Sequence, residues 1–135
     1  MARCTLRIYS ALRITHLAAI EIAHNSILLN ESSEPLIVER LRLMGRFVNG
    51  LVALYTVALF NMELPHAKTI LDGNSDRTWF YRSLNLMKAG AHARFELAVA
   101  RCLGQISDQA YEIAEALRMC FEHEDCLDVL VERAA

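Results

Sequence analysis

PLIVERLRLMGRFVNGLVALYTVALFNM, residues 35–62, is the stretch that decides the fold class. Within it Ile37, Leu41, Met44, Val48, Leu51, Tyr55, Ala58 and Met62 alternate spacings of four and three. That is the period of one face of an α-helix, not the strict alternation of a strand. Arg42, Arg46 and Asn49 fall on another face, and Leu43, Phe47, Leu54 and Phe60 spread beyond a single stripe. Such a helix is expected to meet neighbours on two sides. Residues 47–62 carry no charge, but the run is shorter than the ~20 apolar residues of a membrane span. Asn49 and Gly50 also interrupt it, so a central, heavily buried helix is expected.

Upstream, residues 2–30 read as a first helix. Arg3, Arg7, Ser10, Glu21 and Asn25 lie near one stripe, Ile14 and Leu28 intrude on it, and the rest is rich in Ile, Leu and Ala. Asn30-Glu31-Ser32-Ser33 breaks the pattern. Ser33 suits an N-cap and Pro35 the first turn that follows. Downstream, Pro65 is expected to stop regular helix, and residues 64–75 form the longest connection, with Asp72-Gly73-Asn74-Ser75 as a turn-and-cap signal. Twelve residues exceed the usual ~2–8 of a bundle connection, so a short extra turn is expected over 67–71. A third helix is predicted over 76–103, with Phe80, Leu84, Met87, Ala91, Phe95, Ala98 and Cys102 inward and Gly104 as its C′ residue. A fourth begins at a Ser107 cap and runs close to the end on Ile113, Leu117, Cys120, Leu127, Val131 and Ala134, interrupted only by Glu124. Short connections make sequential helices antiparallel neighbours. The expected fold is all-α, an antiparallel up-down four-helix bundle, with residues 1–135 as one domain.

Composition agrees. With 5 Gly and 2 Pro there is little punctuation for many strands. Apolar residues reach 54%, above the ~45–50% of globular domains, and a small bundle has limited interior. Contact with further copies is the natural place for that excess, so a homo-oligomer is expected. The net charge of −2 argues against a strongly basic nucleic-acid binder. The charge is unevenly spread, +4 over residues 1–101 and −6 over 102–135. Twelve of the fourteen cations are Arg, the residue suited to bidentate carboxylate or phosphate contact. Cys4, Cys102, Cys120 and Cys126 are the four cysteines, and residues 1–12 hold Arg3 and Arg7 without the apolar run of a signal peptide. Free thiols in the cytoplasm are therefore expected.

Three patterns carry possible chemistry. Glu21-Ile-Ala-His24 and Glu63-Leu-Pro-His66 both match the Glu-x-x-His of di-iron bundles, but Pro65 places the second at a helix end, and only Glu96 and Glu115 offer partners at matching depth. Cys120, His123 and Cys126 are spaced by three. On a helix they step ~60° apart, which points Cys120 inward and Cys126 to water rather than onto one zinc ion. Arg118-Met-Cys-Phe-Glu-His123 resembles the Arg-x4-His signature of HEPN domains, without the polar residue that commonly follows the Arg. That resemblance implies a metal-independent ribonuclease, with Arg118 and His123 acting at a dimer interface. No Gly-rich phosphate loop, Ser/His/Asp constellation or haem motif is present, and neither catalytic residues, a metal nor a cofactor is expected.

Residues 79–111, WFYRSLNLMKAGAHARFELAVARCLGQISDQAY, open on aromatics, reach a Leu-Gly-x-Ile-Ser turn and place a Tyr in the next helix. In this the chain resembles the four-helix-bundle proteins encoded in ribosomal-RNA intervening sequences and the accessory variability proteins of diversity-generating retroelements, over about residues 18–131. Where that family has Gly-Ser and Glu-x-Glu, this chain has Lys88-Ala89 and His92-Ala93-Arg94. The resemblance implies a non-enzymatic ring-forming bundle, often a pentamer, which in the retroelement branch binds a reverse transcriptase and its template RNA through basic surface. Arg42, Arg46, Arg77, Arg82, Lys88, Arg94 and Arg101 are the positions here for such contact with protein or RNA. Their bland alternative is a solvated face, or salt bridges to the acidic fourth helix.

Overall fold

The computed structural model of the chain describes residues 2–32, 34–90 and 94–122. All of its elements are helices: α1 (Ala2–Ser32), α2 (Pro35–Asn61), α3 (Leu64–Asp72), α4 (Asn74–Ala89) and α5 (Arg94–Glu122). Over the described residues the fold is all-α as expected, with five helices in place of four.

Two boundaries fall where the sequence signals put them. Pro35 sits in the first turn of α2 behind an extended Glu34, where its missing N–H costs nothing; the expected Ser33 cap lies outside the described residues. At the other end of α2, Met62 takes left-handed backbone (φ 51°) and the Glu63 N–H donates to the Ala58 carbonyl at 3.1 Å. Pro65 does more than end a helix. It lies in the first turn of α3, so the expected short turn is a nine-residue helix, closed by Gly73.

The main correction concerns the second half. The predicted helix over 76–103 does not exist as one element, because α4 ends at Ala89 and α5 runs unbroken from Arg94 to Glu122. Gly104 is therefore no C′ residue and Ser107 no N-cap. Both are buried in the middle of α5. A Cβ on Gly104 would lie 2.7 Å from Leu84 Cδ2, so this glycine lets α4 approach α5 closely. The Ser107 hydroxyl lies 3.4 Å from the Tyr81 phenol oxygen.

α5 is the central helix. It touches each of the other four and is the most heavily buried of them. α1 runs antiparallel to it, since Arg7 pairs with Glu112 while Glu21 reaches Cys102. α4 also runs antiparallel, with Leu84 beside Gly104, Tyr81 bonded to Asp108 and Arg77 stacked on Tyr111. The predicted inner stripe of α2 holds, with Leu41, Met44, Val48, Leu51, Tyr55 and Ala58 all buried. Its expected place at the centre does not. α2 is long and apolar enough to cross a membrane by length and composition, yet only 28% of its most apolar window is buried in the fold. Two core clusters result, one around Phe80, Met44 and Met87, the other around Ile70, Ile113 and Leu117. Phe47, Val52 and Tyr81 pack against both.

Candidate functional site

Of the seven basic positions, the five expected on a single third helix are divided by the break between α4 and α5, with Arg77, Arg82 and Lys88 on the first and Arg94 and Arg101 on the second. Arg77 lies on α4 with its guanidinium 3.9 Å from the centre of the Tyr111 ring and 5.9 Å from that of Tyr81, a cation–π clamp rather than a free phosphate contact. Arg77 and Arg82 flank a shallow recess along α4 with Asn85 and Leu86. Lys88 and Arg101 line one recess between α4 and α5, beside Gln105 and Asp108. Arg94 is the exposed first residue of α5. On α2, Arg42 is bound to Glu39 at 3.0 Å. Arg46 lines a cleft of about 530 Å³ between α2, α3 and α5, together with Phe47, Ile70, Asp76 and Tyr111. The Tyr111 phenol is buried without a hydrogen-bond partner among the described residues, and burial raises its pKa above the ordinary tyrosine value. The structure thus brings together Arg77 with Arg82 and Lys88 with Arg101, and leaves Arg42 and Arg46 on a separate helix.

The other motifs are placed as follows. Arg118 is hydrogen-bonded to Glu115 and lies 4.0 Å from Glu122; the first of these contacts is the main cause of its raised pKa. His123 and Cys126 lie outside the described residues. Glu63 and His66 pair with each other at 3.2 Å at the start of α3, while Glu21 and His24 are both exposed on α1. Among the described residues no group of three metal-ligating side chains comes together. Cys4, Cys102 and Cys120 are all buried. Burial, followed by the hydrogen bond the thiol donates to the Glu21 carboxylate, pushes Cys102 up to about 11.

The surface that sequence reasoning did not single out is the outer side of α1. Its inward seam is Cys4, Ala11 and Ala18, seven residues apart, with Leu29 beyond. These small side chains let α1 lie close on α5, and Ala11 shares its cluster with Ala110 and Ala114. On an ideal helix a shift of two residues turns ~200°. Leu6, Arg13, Ile20 and Ile27 therefore form a second seven-residue seam on the opposite side, with Tyr9, His16, Leu17 and His24 along it. Leu6 (63%), Tyr9 (65%), Leu17 (57%) and Ile27 (67%) are more than half exposed. The five large apolar residues of this seam hold on the order of 500–600 Å² of open surface, the upper end of the ~300–600 Å² of the largest apolar patch on a typical monomer. The sequence carries this surface as a paired seven-residue repeat, which a single polar stripe on α1 does not reveal.

Comparison with family models, with characterised proteins and with solved structures found no match to this chain.

Proposed function

We propose that the chain is a non-enzymatic helical interaction module that works by assembling with copies of itself. The observation that supports this reading is the outer side of α1: an apolar seam on the face turned away from the core. A helix that is apolar on both sides is buried on both sides, and among the described residues only one side has a neighbour. The excess of apolar residues is thereby accounted for. In this reading α1, α2, α4 and α5 are the four members of an antiparallel bundle, with α3 as part of a connection. The module belongs to the cytoplasm, where Cys4, Cys102 and Cys120 remain thiols.

Light scattering tests the reading directly. The wild-type chain at about 100 μM should show a mass of at least two copies, and Leu17→Glu combined with Ile27→Glu should return it to the mass of one with its helical circular dichroism intact. A monomeric wild type, or a variant of unchanged mass, would overturn the reading.

A second reading adds a partner: a reverse transcriptase or other nucleic-acid enzyme, with its RNA, docked on arginines. It is favoured by Arg82, Lys88, Arg94 and Arg101, exposed cations with no ion pair among the described residues. Retained nucleic acid in the light-scattering peak, lost on replacing Arg82, Arg94 and Arg101 together, would support it.

A further inference from the structure

We infer that two copies join through α1 in antiparallel, about a two-fold axis near His16 and Leu17. This rests on the self-association proposed above and adds its geometry. The outer seam of α1 lies opposite the side that packs on α5, so two chains meet back to back in the order α5, α1, α1, α5 with no other helix between them. Both seams repeat every seven residues. A straight helix drifts only ~20° per seven-residue step, so the stripe from Leu6 to Ile27 stays on one side over about 32 Å of helix.

Area and charge select the occupant and its direction. A stable pair buries ~800 Å² on each partner. The apolar seam supplies most of that, and the stems of Arg13, His16 and His24 extend it. Arg13 sets the direction. It lies on the seam itself and forms no ion pair among the described residues. Its neighbours three and four positions away are Tyr9, Ser10, His16 and Leu17, none of them acidic. Parallel pairing would set Arg13 against Arg13 of the other copy within an apolar contact, a buried like-charge pair. Antiparallel pairing sets Leu6 against Ile27, Tyr9 against His24 and Arg13 against Ile20. The two Arg13 side chains then start about 10 Å apart along the axis, which separates the like charges. A second copy of this chain in antiparallel meets both requirements, and the contact is isologous and closes on itself.

Cysteine cross-linking under copper phenanthroline, in a background carrying Cys126→Ser, reads the direction. Leu17→Cys, next to the axis, should form a disulfide-linked dimer on a non-reducing gel. Leu6→Cys alone should not, because its two copies lie about 32 Å apart, whereas an equilibrated mixture of Leu6→Cys with Ile27→Cys should. Cross-linking of Leu6→Cys to itself would establish parallel pairing and overturn the inference. An oligomer by light scattering in which none of these samples cross-links would place the contact elsewhere, overturning the pairing while leaving self-association standing. A chain that is monomeric by light scattering and floats with anionic lipid vesicles would overturn both.

Discussion

At the residue scale, glycines within helices separate two physical effects. Glycine inside a helix costs roughly 0.5–1 kcal/mol against alanine through backbone entropy, so a glycine kept there for no packing reason is a loss. Gly45 on α2 is such a case, since a Cβ there would meet nothing within 4 Å. Gly45→Ala is expected to stabilise the fold by about 0.5–1 kcal/mol. Gly104 differs because Leu84, itself buried, stands 2.7 Å from the added carbon. The contact falls on the end of a side chain, which can turn, but overpacking a filled core costs about 1–3 kcal/mol. That outweighs the propensity gain of about 1 kcal/mol. Gly104→Ala is expected to destabilise by up to about 2 kcal/mol, and Gly104→Val by more. Urea midpoints for the three variants check the order; a stabilised Gly104→Ala would mean that α4 does not rest on α5 at that point.

At the element scale, the hairpin of α4 on α5 is held by Tyr81, whose phenol donates to the Asp108 carboxylate. Burial, followed by that hydrogen bond, pushes the phenol up to about 12, against about 10 in an unfolded chain. The fold keeps the proton that the unfolded chain sheds, so this contribution is full below pH 10 and is lost as the pH rises towards 12. Cys102, raised to about 11, adds to the same alkaline loss. The difference between wild type and Tyr81→Phe isolates the phenol's share. Denaturant melts between pH 9 and 12 should show wild type losing its advantage over Tyr81→Phe; a constant gap would mean that Tyr81 does not hold its proton through Asp108. The hairpin is also where the sequence was hardest to read. α2 was legible because apolar period, proline and turn agreed. Around Gly104 and Ser107 two signals conflicted. The glycine and serine looked like a helix end and a new cap, while Val99, Leu103, Ile106, Ala110, Ile113, Leu117 and Cys120 kept the four-three period straight through them. The period was the sounder guide, because it records a continuous buried face, whereas a glycine marks close approach as readily as a cap. The placement of the cations changes for the same reason: a break at Gly104 lines up on one helix residues that the hairpin sets on two.

At the scale of the whole molecule, burial is uneven among the described residues. α5 is enclosed, while α1 and α2 carry Leu6, Tyr9, Leu17, Ile27, Leu36 and Phe60 to the surface more than half exposed. If copies assemble through α1, folding and association are linked, and thermal stability depends on protein concentration. For a dimer of chains of this length, a tenfold rise in concentration should lift Tm by about 2–3 °C, from ~1.4 kcal/mol of mass action set against an unfolding entropy of ~2.1 cal/mol/K per residue. Calorimetry from about 1 to 100 μM should therefore show a rise of about 5 °C in wild type. In Leu17→Glu with Ile27→Glu the Tm should be independent of concentration and below the wild-type value at every concentration where wild type is dimeric. A wild-type Tm that does not move over this range would mean that the apolar face of α1 is not covered by a second copy when the chain unfolds, and the source of its exposed area would then lie in a partner of different sequence or in lipid.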